Sequence, residues 1–122
     1  MTPEPRLQLR LYFGDAMFGP GKALMLELIR DHGSISAAGR EMQMSYKRAW
    51  SLVEEMNAMF HLPLVDSARG GPGGGGATVT KAGLAVLAHF RAVESLTADA
   101  TKAEITALKT LLKPSTDIPA GK

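Results

Sequence analysis

The stretch SISAAGREMQMSYKRAW, residues 34–50, decides the fold because it holds two helix starts within one short segment. Ser34 precedes a run rich in small residues, Ala37 to about Met42, which predicts a short helix able to pack closely against a neighbour. Residues 42–44 (MQM) predict a turn, and Ser45 predicts the N-cap of a longer helix. The stretch therefore predicts a short helix, a turn and a longer helix.

The longer helix has an apolar stripe and a polar face. The apolar residues recur at intervals of 4, 3 and 4, so this stripe is expected to be buried. Tyr46 and Trp50 form a flanking stripe, whereas Lys47 and Arg48 are expected to face outward with Ser51, Glu54 and Glu55. The buried stripe consists of Ala49, Val53, Met56 and Phe60.

The residues before this stretch predict a strand and a first helix. Leucines at positions 7, 9 and 11 alternate with polar or amphipathic residues, which is the pattern of a half-buried strand over residues 7–12. Residues 14–21 are rich in turn formers, and Pro20 suits the first turn of a helix. The apolar helical pattern that follows stops at Gly33, a natural C-cap.

The residues after it predict a hairpin and a long helix. Residues 62–65 and 78–80 are expected to form strands that pair across a glycine-rich loop, Gly70 to Gly76. A helix capped by Thr80 follows; if residues 81–113 are continuous, it is about 50 Å long at about 1.5 Å per residue. Pro114 is expected to end this helix, and residues 114–122 are expected to form a disordered tail.

The element order is that of a winged helix-turn-helix. We therefore predict a mainly α fold with a small β-hairpin, the wing, and a long C-terminal helix, in one domain over residues 1–113. In this fold the longer helix of the pair enters the DNA major groove, and the shorter helix braces it on the backbone. Double-stranded DNA is accordingly the expected partner.

Several side chains are suited to DNA contacts. Lysine and arginine donate to guanine edges or phosphates, and a solvated basic face is the alternative interpretation of Lys47 and Arg48. Glycines in the wing would let main-chain N–H groups approach phosphates, with Arg69 and Lys81 adding charge beside them. A plain hairpin connection is the alternative for this loop. The edge of Trp50 could also touch DNA.

Other classes of function are disfavoured by composition and spacing. The chain has no cysteine, no apolar run long enough for a membrane span and no signal peptide, so a cytoplasmic location is expected. The glycines are not followed by the lysine and Ser/Thr of a nucleotide-binding loop, and the histidines at positions 32, 61 and 89 lack metal-ligand spacing. Glu54 and Glu55 point in different directions. We expect no enzyme activity, no cofactor and no metal.

Four segments resemble the DNA-binding domain of the ModE family of molybdate-dependent transcriptional regulators. They are GSIS (33–36), SYKRAW (45–50), EEMN (54–57) and RGGPGGGGATVTKAG (69–83). The resemblance implies a winged-helix regulator of molybdate or molybdenum genes, and a homodimer held by the C-terminal helix, about residues 81–113. The residues it places in the helix-turn-helix and the wing are Ser34, Ser36, Ser45, Tyr46, Lys47, Trp50, Arg69, Gly70, Gly71, Gly73, Gly74, Gly75 and Gly76.

Two departures from the family pattern matter. Gln43 stands where the family usually has glycine, so the turn is expected to adopt a conformation acceptable to a side chain. Full-length members continue into β-barrel domains that bind molybdate, for which this chain has no room, so molybdate binding is not expected within it. Two other functions remain open: a winged-helix interaction module that pairs with a separate regulator or sensor through its long helix, and an oxyanion or nucleotide binder that uses the glycine loop.

Overall fold

A computed structural model of the chain describes residues 4–67 and 76–113. Their element order confirms a mainly α winged helix-turn-helix with small antiparallel hairpins and a long C-terminal helix. The elements are β1 (Leu11–Phe13), β2 (Ala16–Phe18), α1 (Pro20–His32), α2 (Ile35–Glu41), α3 (Tyr46–Met59), β3 (Val65–Ser67), β4 (Ala77–Val79), α4 (Lys81–Ala100) and α5 (Lys102–Thr110).

The core is built around α1, which contacts α2, α3 and α4. Met25, Leu26 and Ile29 on its inner face are fully buried, as are the α3 residues predicted for the buried stripe up to Met56. Small residues let α2 approach α3 closely, since a Cβ on Gly39 would lie 2.9 Å from the Cβ of Ala49. This close approach confirms the packing predicted from the small residues of α2.

The N-terminal region forms a hairpin that the sequence did not predict. The alternating leucines predicted a strand over residues 7–12, but β1 begins only at Leu11. The chain turns at Gly14, which has a φ of 64°, and β2 pairs back on β1 with Phe13 opposite Ala16. Phe18 then enters the core and packs edge to face on Phe90, with ring centroids 5.2 Å apart. The turn-rich composition of residues 14–21 concealed this second strand.

The predicted helix caps are confirmed. Gly33 adopts a φ of 70° after α1, and its N–H donates to the carbonyl of Ile29 at 2.7 Å. The Ser34 hydroxyl oxygen accepts from the Ala37 N–H at 3.1 Å, so α2 begins at Ile35 and not at Ala37. The Ser45 hydroxyl oxygen accepts from the Arg48 N–H at 3.0 Å and caps α3. Because α3 ends at Met59, Phe60 is its C-cap and not a member of the helical stripe.

The turn between α2 and α3 corrects the expectation for Gln43. This residue has a φ of 56°, in the left-handed region that glycine adopts most easily. The turn is closed by backbone bonds from the Gln43 N–H to Arg40 at 3.0 Å and from the Met44 N–H to Gly39 at 3.0 Å. The side chain therefore has not changed the turn, and Gln43 bears the steric cost of the left-handed conformation.

We expect Gln43→Gly to raise the free energy of unfolding by about 0.5–1 kcal/mol, because the relief of left-handed strain exceeds the added entropy of the unfolded chain. Urea denaturation of both proteins measures the difference. Gln43→Ala keeps a Cβ at the same φ and serves as the control, for which no gain is expected. A glycine variant less stable than the alanine variant would contradict the assignment of strain.

The wing stem is the β3–β4 hairpin, in which Val65 pairs with Val79. The first strand starts at Val65, later than the predicted residues 62–65, and Leu62 and Pro63 are exposed ahead of it. The stem is fixed to the rest of the domain, because the Ala77 N–H donates to the carbonyl of Gly33 at 2.9 Å. The predicted loop residues 68–75 lie outside the described part of the chain.

The C-terminal helix is divided at Thr101, so the condition of continuity over residues 81–113, on which the length of about 50 Å depended, is not met. Thr101 has φ −103° and ψ 4°, and its hydroxyl donates to the carbonyl of Thr97 at 2.7 Å. Such back-bonding by threonine bends helices. The helix α4 is thus about 30 Å long at about 1.5 Å per residue, compared with about 50 Å for a continuous helix over residues 81–113. The predicted tail, residues 114–122, lies outside the described residues.

An ion-pair network joins α4 to α1. The Arg91 guanidinium donates to both carboxylate oxygens of Glu27, at 2.7 and 3.1 Å, and to Glu94 at 2.8 Å. These hydrogen bonds, chiefly those to Glu27, raise the pKa of Arg91 above its ordinary value. The two-point contact fixes the orientation of α4 on the domain as well as its position.

Candidate nucleic-acid interface

The outward face of α3 is centred on Lys47. Successive helix residues are about 100° apart, so Lys47 lies about 180° from Met56, nine residues later. Met56 is fully buried and Lys47 is exposed. Ser45, at the N-cap, is also exposed, although its hydroxyl oxygen is occupied by the Arg48 N–H. A helix lying in a groove would therefore present Lys47 first.

A cleft lies beside this face, between α2, α3 and the wing stem. It has a volume of about 200 Å³, and none of the described residues that line it is acidic. Five of the predicted DNA-contacting residues meet there, although they come from three separate parts of the chain. We call this feature the hydroxyl cleft; it is lined by Ser34, Ile35, Ser36, Tyr46, Trp50, Ser67, Gly76 and Ala77.

Two aromatic rings form one wall of the hydroxyl cleft. Tyr46 and Trp50 are one helical turn apart on α3, and their rings meet edge to face with centroids 6.1 Å apart and an interplanar angle of 80°. This confirms the flanking stripe predicted for the two residues. The Tyr46 side chain is half exposed, so its hydroxyl is available at the rim.

Two residues of this region were missed by the sequence analysis. Arg40 donates from Nη1 to the Ser36 hydroxyl oxygen at 3.0 Å, which places a cation next to the cleft. Ser67, the last residue of β3, lines the cleft from the wing side. The i, i+4 spacing of Ser36 and Arg40 could have suggested the first contact, but only the strand pairing brings Ser67 to α2 and α3.

Arg48 lies on a different flank from the cleft. It is two positions from Trp50, which separates the two side chains by about 160° around the axis of α3. Arg48 borders a second cavity near the β1–β2 hairpin, together with Asp15, Lys22 and Glu55. The structure therefore separates Arg48 from the residues with which it was predicted to act.

The remaining predicted site residues are only partly placed by the structure. Lys81 is exposed at the first position of α4 and does not line the hydroxyl cleft. Gly76 is exposed at the root of the wing, and a Cβ there would lie 3.6 Å from the Gly33 carbonyl oxygen. The residues outside the described ranges are Arg69, Gly70, Gly71, Gly73, Gly74 and Gly75.

The described residues form neither a metal-binding cluster nor a membrane-spanning helix. Within residues 4–67 and 76–113, no group of three or more histidine, aspartate or glutamate side chains is arranged to hold a metal ion. None of the helices in these ranges is long and apolar enough to span a bilayer. His32, His61 and His89, which were not expected to bind metal, are exposed and lie in different parts of the fold.

Comparison with known proteins finds relatives whose names refer to molybdenum and to transcriptional regulation. The "DNA-binding transcriptional dual regulator ModE" of Escherichia coli K12 is 42% identical over 64 residues, covering 52% of this chain and 24% of the relative. The ModE of Azotobacter vinelandii, a "molybdenum transport protein", is 40% identical over 70 residues, covering 57% of this chain and 26% of the relative. The chain is homologous to the N-terminal part of the ModE regulators.

A second group of relatives carries names that refer to molybdenum-pterin binding. The "molybdenum-pterin-binding protein MopA" of Rhodobacter capsulatus is 44% identical over 81 residues, covering 66% of this chain and 31% of the relative. The chain thus spans less than a third of the length of each of these three relatives. No family model matches the chain. The names of these ModE and Mop relatives are those of regulators, transport and binding proteins, which agrees with the expectation of a protein without enzyme activity.

Proposed function

We propose that this chain is a sequence-specific DNA-binding transcriptional regulator of the ModE type that acts on molybdate- or molybdenum-related genes. Its α3 helix enters the major groove, and the wing contacts the backbone or the adjacent groove. The observation that carries this proposal is the hydroxyl cleft, which joins both helices of the pair to the wing stem on the same α3 helix that exposes Lys47. A regulator of this kind works where the chromosome is, in the bacterial cytoplasm.

The chemistry of this surface suits a duplex. An exposed lysine opposite the buried stripe can reach base edges or phosphates, and hydroxyls beside it can donate to phosphate oxygens. The absence of acidic residues from the described cleft lining avoids repulsion of the DNA backbone. Lys81 and the basic residue of the wing loop, Arg69, would extend the positive potential along the duplex.

The proposal includes a homodimer formed through the C-terminal helices. Large apolar side chains remain exposed along α4 and α5, including Leu96 at 68% and Leu108 at 63%. Such a row of leucines is typical of a surface that another chain covers. A two-fold dimer would present two α3 helices to half-sites about one DNA turn apart. In this arrangement residues 1–113 form the DNA-binding domain, with the region 81–113 as its dimerisation element.

Fluorescence anisotropy tests the proposal directly. The protein is titrated against a palindromic promoter fragment from a molybdate-transport operon and against a scrambled duplex of equal length, with and without molybdate. We expect a preference of about a thousandfold for the promoter. We expect no change on adding molybdate, since the proposal assigns no molybdate site to this chain. Equal weak binding to both duplexes would contradict the proposed sequence-specific DNA binding. A change in affinity on adding molybdate would contradict the statement that this chain has no molybdate site.

The separation of Lys47 from Arg48 gives a matched pair of variants. We expect Lys47→Ala to lower the affinity for the promoter about tenfold to a hundredfold, because Lys47 is centred on the outward face. Arg48→Ala removes the same charge from the adjacent position but on the flank near Asp15, so a smaller loss is expected. The same anisotropy titration measures both. Equal losses, or a larger loss for Arg48→Ala, would contradict the orientation assigned to α3.

A second function is favoured by the exposed leucines alone. On that alternative the chain is an interaction module that pairs with a separate regulator or sensor through α4 and α5. Sedimentation equilibrium distinguishes the two: a stable homodimer supports the regulator, whereas a monomer that binds both duplexes weakly supports the module. Changing Lys47 should have little effect on the activity of such a module.

A further inference from the structure

We infer that the hydroxyl cleft binds a single tetrahedral phosphate group, and that in the DNA complex this group is one backbone phosphate next to the groove occupied by α3. This inference rests on the proposed function for the source of the phosphate. It assigns new phosphate-binding roles to Ser67 and Arg40 and separates them from Lys47, which is left to contact the bases.

Four residues that line the cleft carry hydroxyl groups, and they come from three separate elements. Ser34 and Ser36 lie at the start of α2, Tyr46 at the start of α3, and Ser67 at the end of β3. A hydroxyl has one proton to donate in addition to its acceptor lone pairs. A phosphate carries oxygens in tetrahedral directions, so donors that converge from three elements match it better than they match a planar base edge.

The hydroxyl protons of Ser34 and Ser36 remain available, because in the existing contacts both oxygens act as acceptors. The Ser34 oxygen accepts from the Ala37 N–H at 3.1 Å, and the Ser36 oxygen accepts from Arg40 at 3.0 Å. An oxygen that accepts in this way still carries its own proton. The same contacts fix the rotation of the two side chains, so binding a phosphate requires little additional ordering.

The charge around the cleft is suited to a bound anion. Arg40 holds a permanent positive charge beside Ser36, and none of the cleft-lining residues that the structure describes is acidic. The guanidinium contacts the serine through one nitrogen, and its remaining N–H groups can turn toward a bound oxyanion. The apolar side chains of Ile35 and Ala77 and the ring pair of Tyr46 and Trp50 reduce the exposure of the site to water, which strengthens such hydrogen bonds.

The cleft lies next to the part of α3 that would enter the groove. It lies on the flank of α3 that faces the wing. Trp50, which lines it, is three residues from Lys47, so the two side chains are about 60° apart around the helix axis at about 100° per residue. A helix whose outward face enters a groove has the phosphates of that groove along its flanks. The cleft is therefore placed to take a phosphate when Lys47 reaches the bases.

The first part of the test uses inorganic phosphate without DNA. The amide spectrum of ¹⁵N-labelled full-length protein is followed by NMR during a titration to millimolar phosphate at constant ionic strength with chloride. We expect shifts concentrated on Ser36, Ser67 and Gly76, and loss of these shifts in the double variant Ser36→Ala, Ser67→Ala. Ser95→Ala, at an exposed position of α4, is the matched control and should titrate like the unchanged protein.

The second part uses promoter duplexes in which one phosphate at a time is replaced by a neutral methylphosphonate. We expect one position in each half-site where the replacement weakens binding of the unchanged protein about tenfold. At that position the double variant should lose no further affinity, since the contact is already missing. At other positions the losses from variant and replacement should be additive.

The outcomes separate the inference from the proposed function. Non-additive losses at one position support a backbone phosphate in the cleft. Cleft shifts with inorganic phosphate but additive losses on DNA overturn the DNA source and leave a site for free phosphate. Cleft shifts with no binding to any duplex refute the proposed function, not the phosphate site. DNA binding without coupling and without cleft shifts overturns the inference alone.

Discussion

Replacing Gly83 with alanine is expected to lower the free energy of unfolding by at least about 3 kcal/mol, the largest effect expected for an alanine at any of the described glycines. Gly83 lies in the first turn of α4, against the start of the wing stem. A Cβ there would stand 2.3 Å from the carbonyl oxygen of Leu64 and 2.7 Å from Cγ1 of Val79. Distances this short require the backbone to move.

The surrounding hydrogen bonds oppose that movement. The Leu64 carbonyl accepts from the Thr80 N–H at 2.9 Å, and the Gly83 N–H donates to the Thr80 hydroxyl at 3.0 Å. Thr80 in turn donates to the Pro63 carbonyl at 2.7 Å. Shifting α4 away from Leu64 would break this set of contacts together, so the cost exceeds the gain of about 1 kcal/mol in helix propensity from glycine to alanine.

Urea denaturation of Gly83→Ala measures the loss. Gly21→Ala is the matched control, because Gly21 is also near the start of a helix and a Cβ there would meet no atom within 4 Å. The control variant is expected to be unchanged or slightly more stable. A loss below about 1 kcal/mol for Gly83→Ala would contradict this expectation and show that α4 can slide on β3.

Asn57→Ala is expected to cost about 2–4 kcal/mol, the second largest effect. The Asn57 side chain accepts from the N–H groups of Leu64 and Val65, at 2.8 and 3.1 Å, and donates to the Val65 carbonyl at 3.1 Å. Both partner residues are buried. Truncation leaves backbone groups without a partner away from bulk water, and each such group costs about 1–3 kcal/mol.

Asn57→Asp separates the two kinds of bond. Aspartate keeps an oxygen for the two N–H donors but loses the bond to the Val65 carbonyl, so a smaller loss than for alanine is expected above neutral pH. Thermal unfolding of the three proteins gives the ranking. An alanine variant as stable as the aspartate variant would mean that water replaces the side chain at the end of α3.

The parts of the fold that could be predicted from the sequence depend on neighbouring residues. Ser34, Ser45 and Thr80 were identified as caps because a cap bonds to an amide three residues away. The division at Thr101 was missed because the apolar pattern continues on both sides of it. The role of Asn57 was missed because its partners lie seven and eight residues away across a change of direction.

The candidate site shows the same division. Five of the eight cleft-lining residues had been selected from the sequence as DNA contacts, namely Ser34, Ser36, Tyr46, Trp50 and Gly76. Arg48 was grouped with them because adjacent residues look equivalent in a sequence, whereas the helix turns about 100° between them. Ser67 could not be assigned, because its distance from α2 depends on the pairing of β3 with β4 and on the contact of that hairpin with Gly33.

The hydrogen bond from the Ala77 N–H to the Gly33 carbonyl has a consequence for how the domain opens and closes. Gly33 ends α1 and leads into α2, so this bond makes the helix pair and the wing stem one cooperative unit. Neither part can open locally without releasing the other. The angle between α3 and the wing stem is therefore already set in the free protein, so that on the proposed function a duplex meets a rigid template rather than two parts that must first find each other.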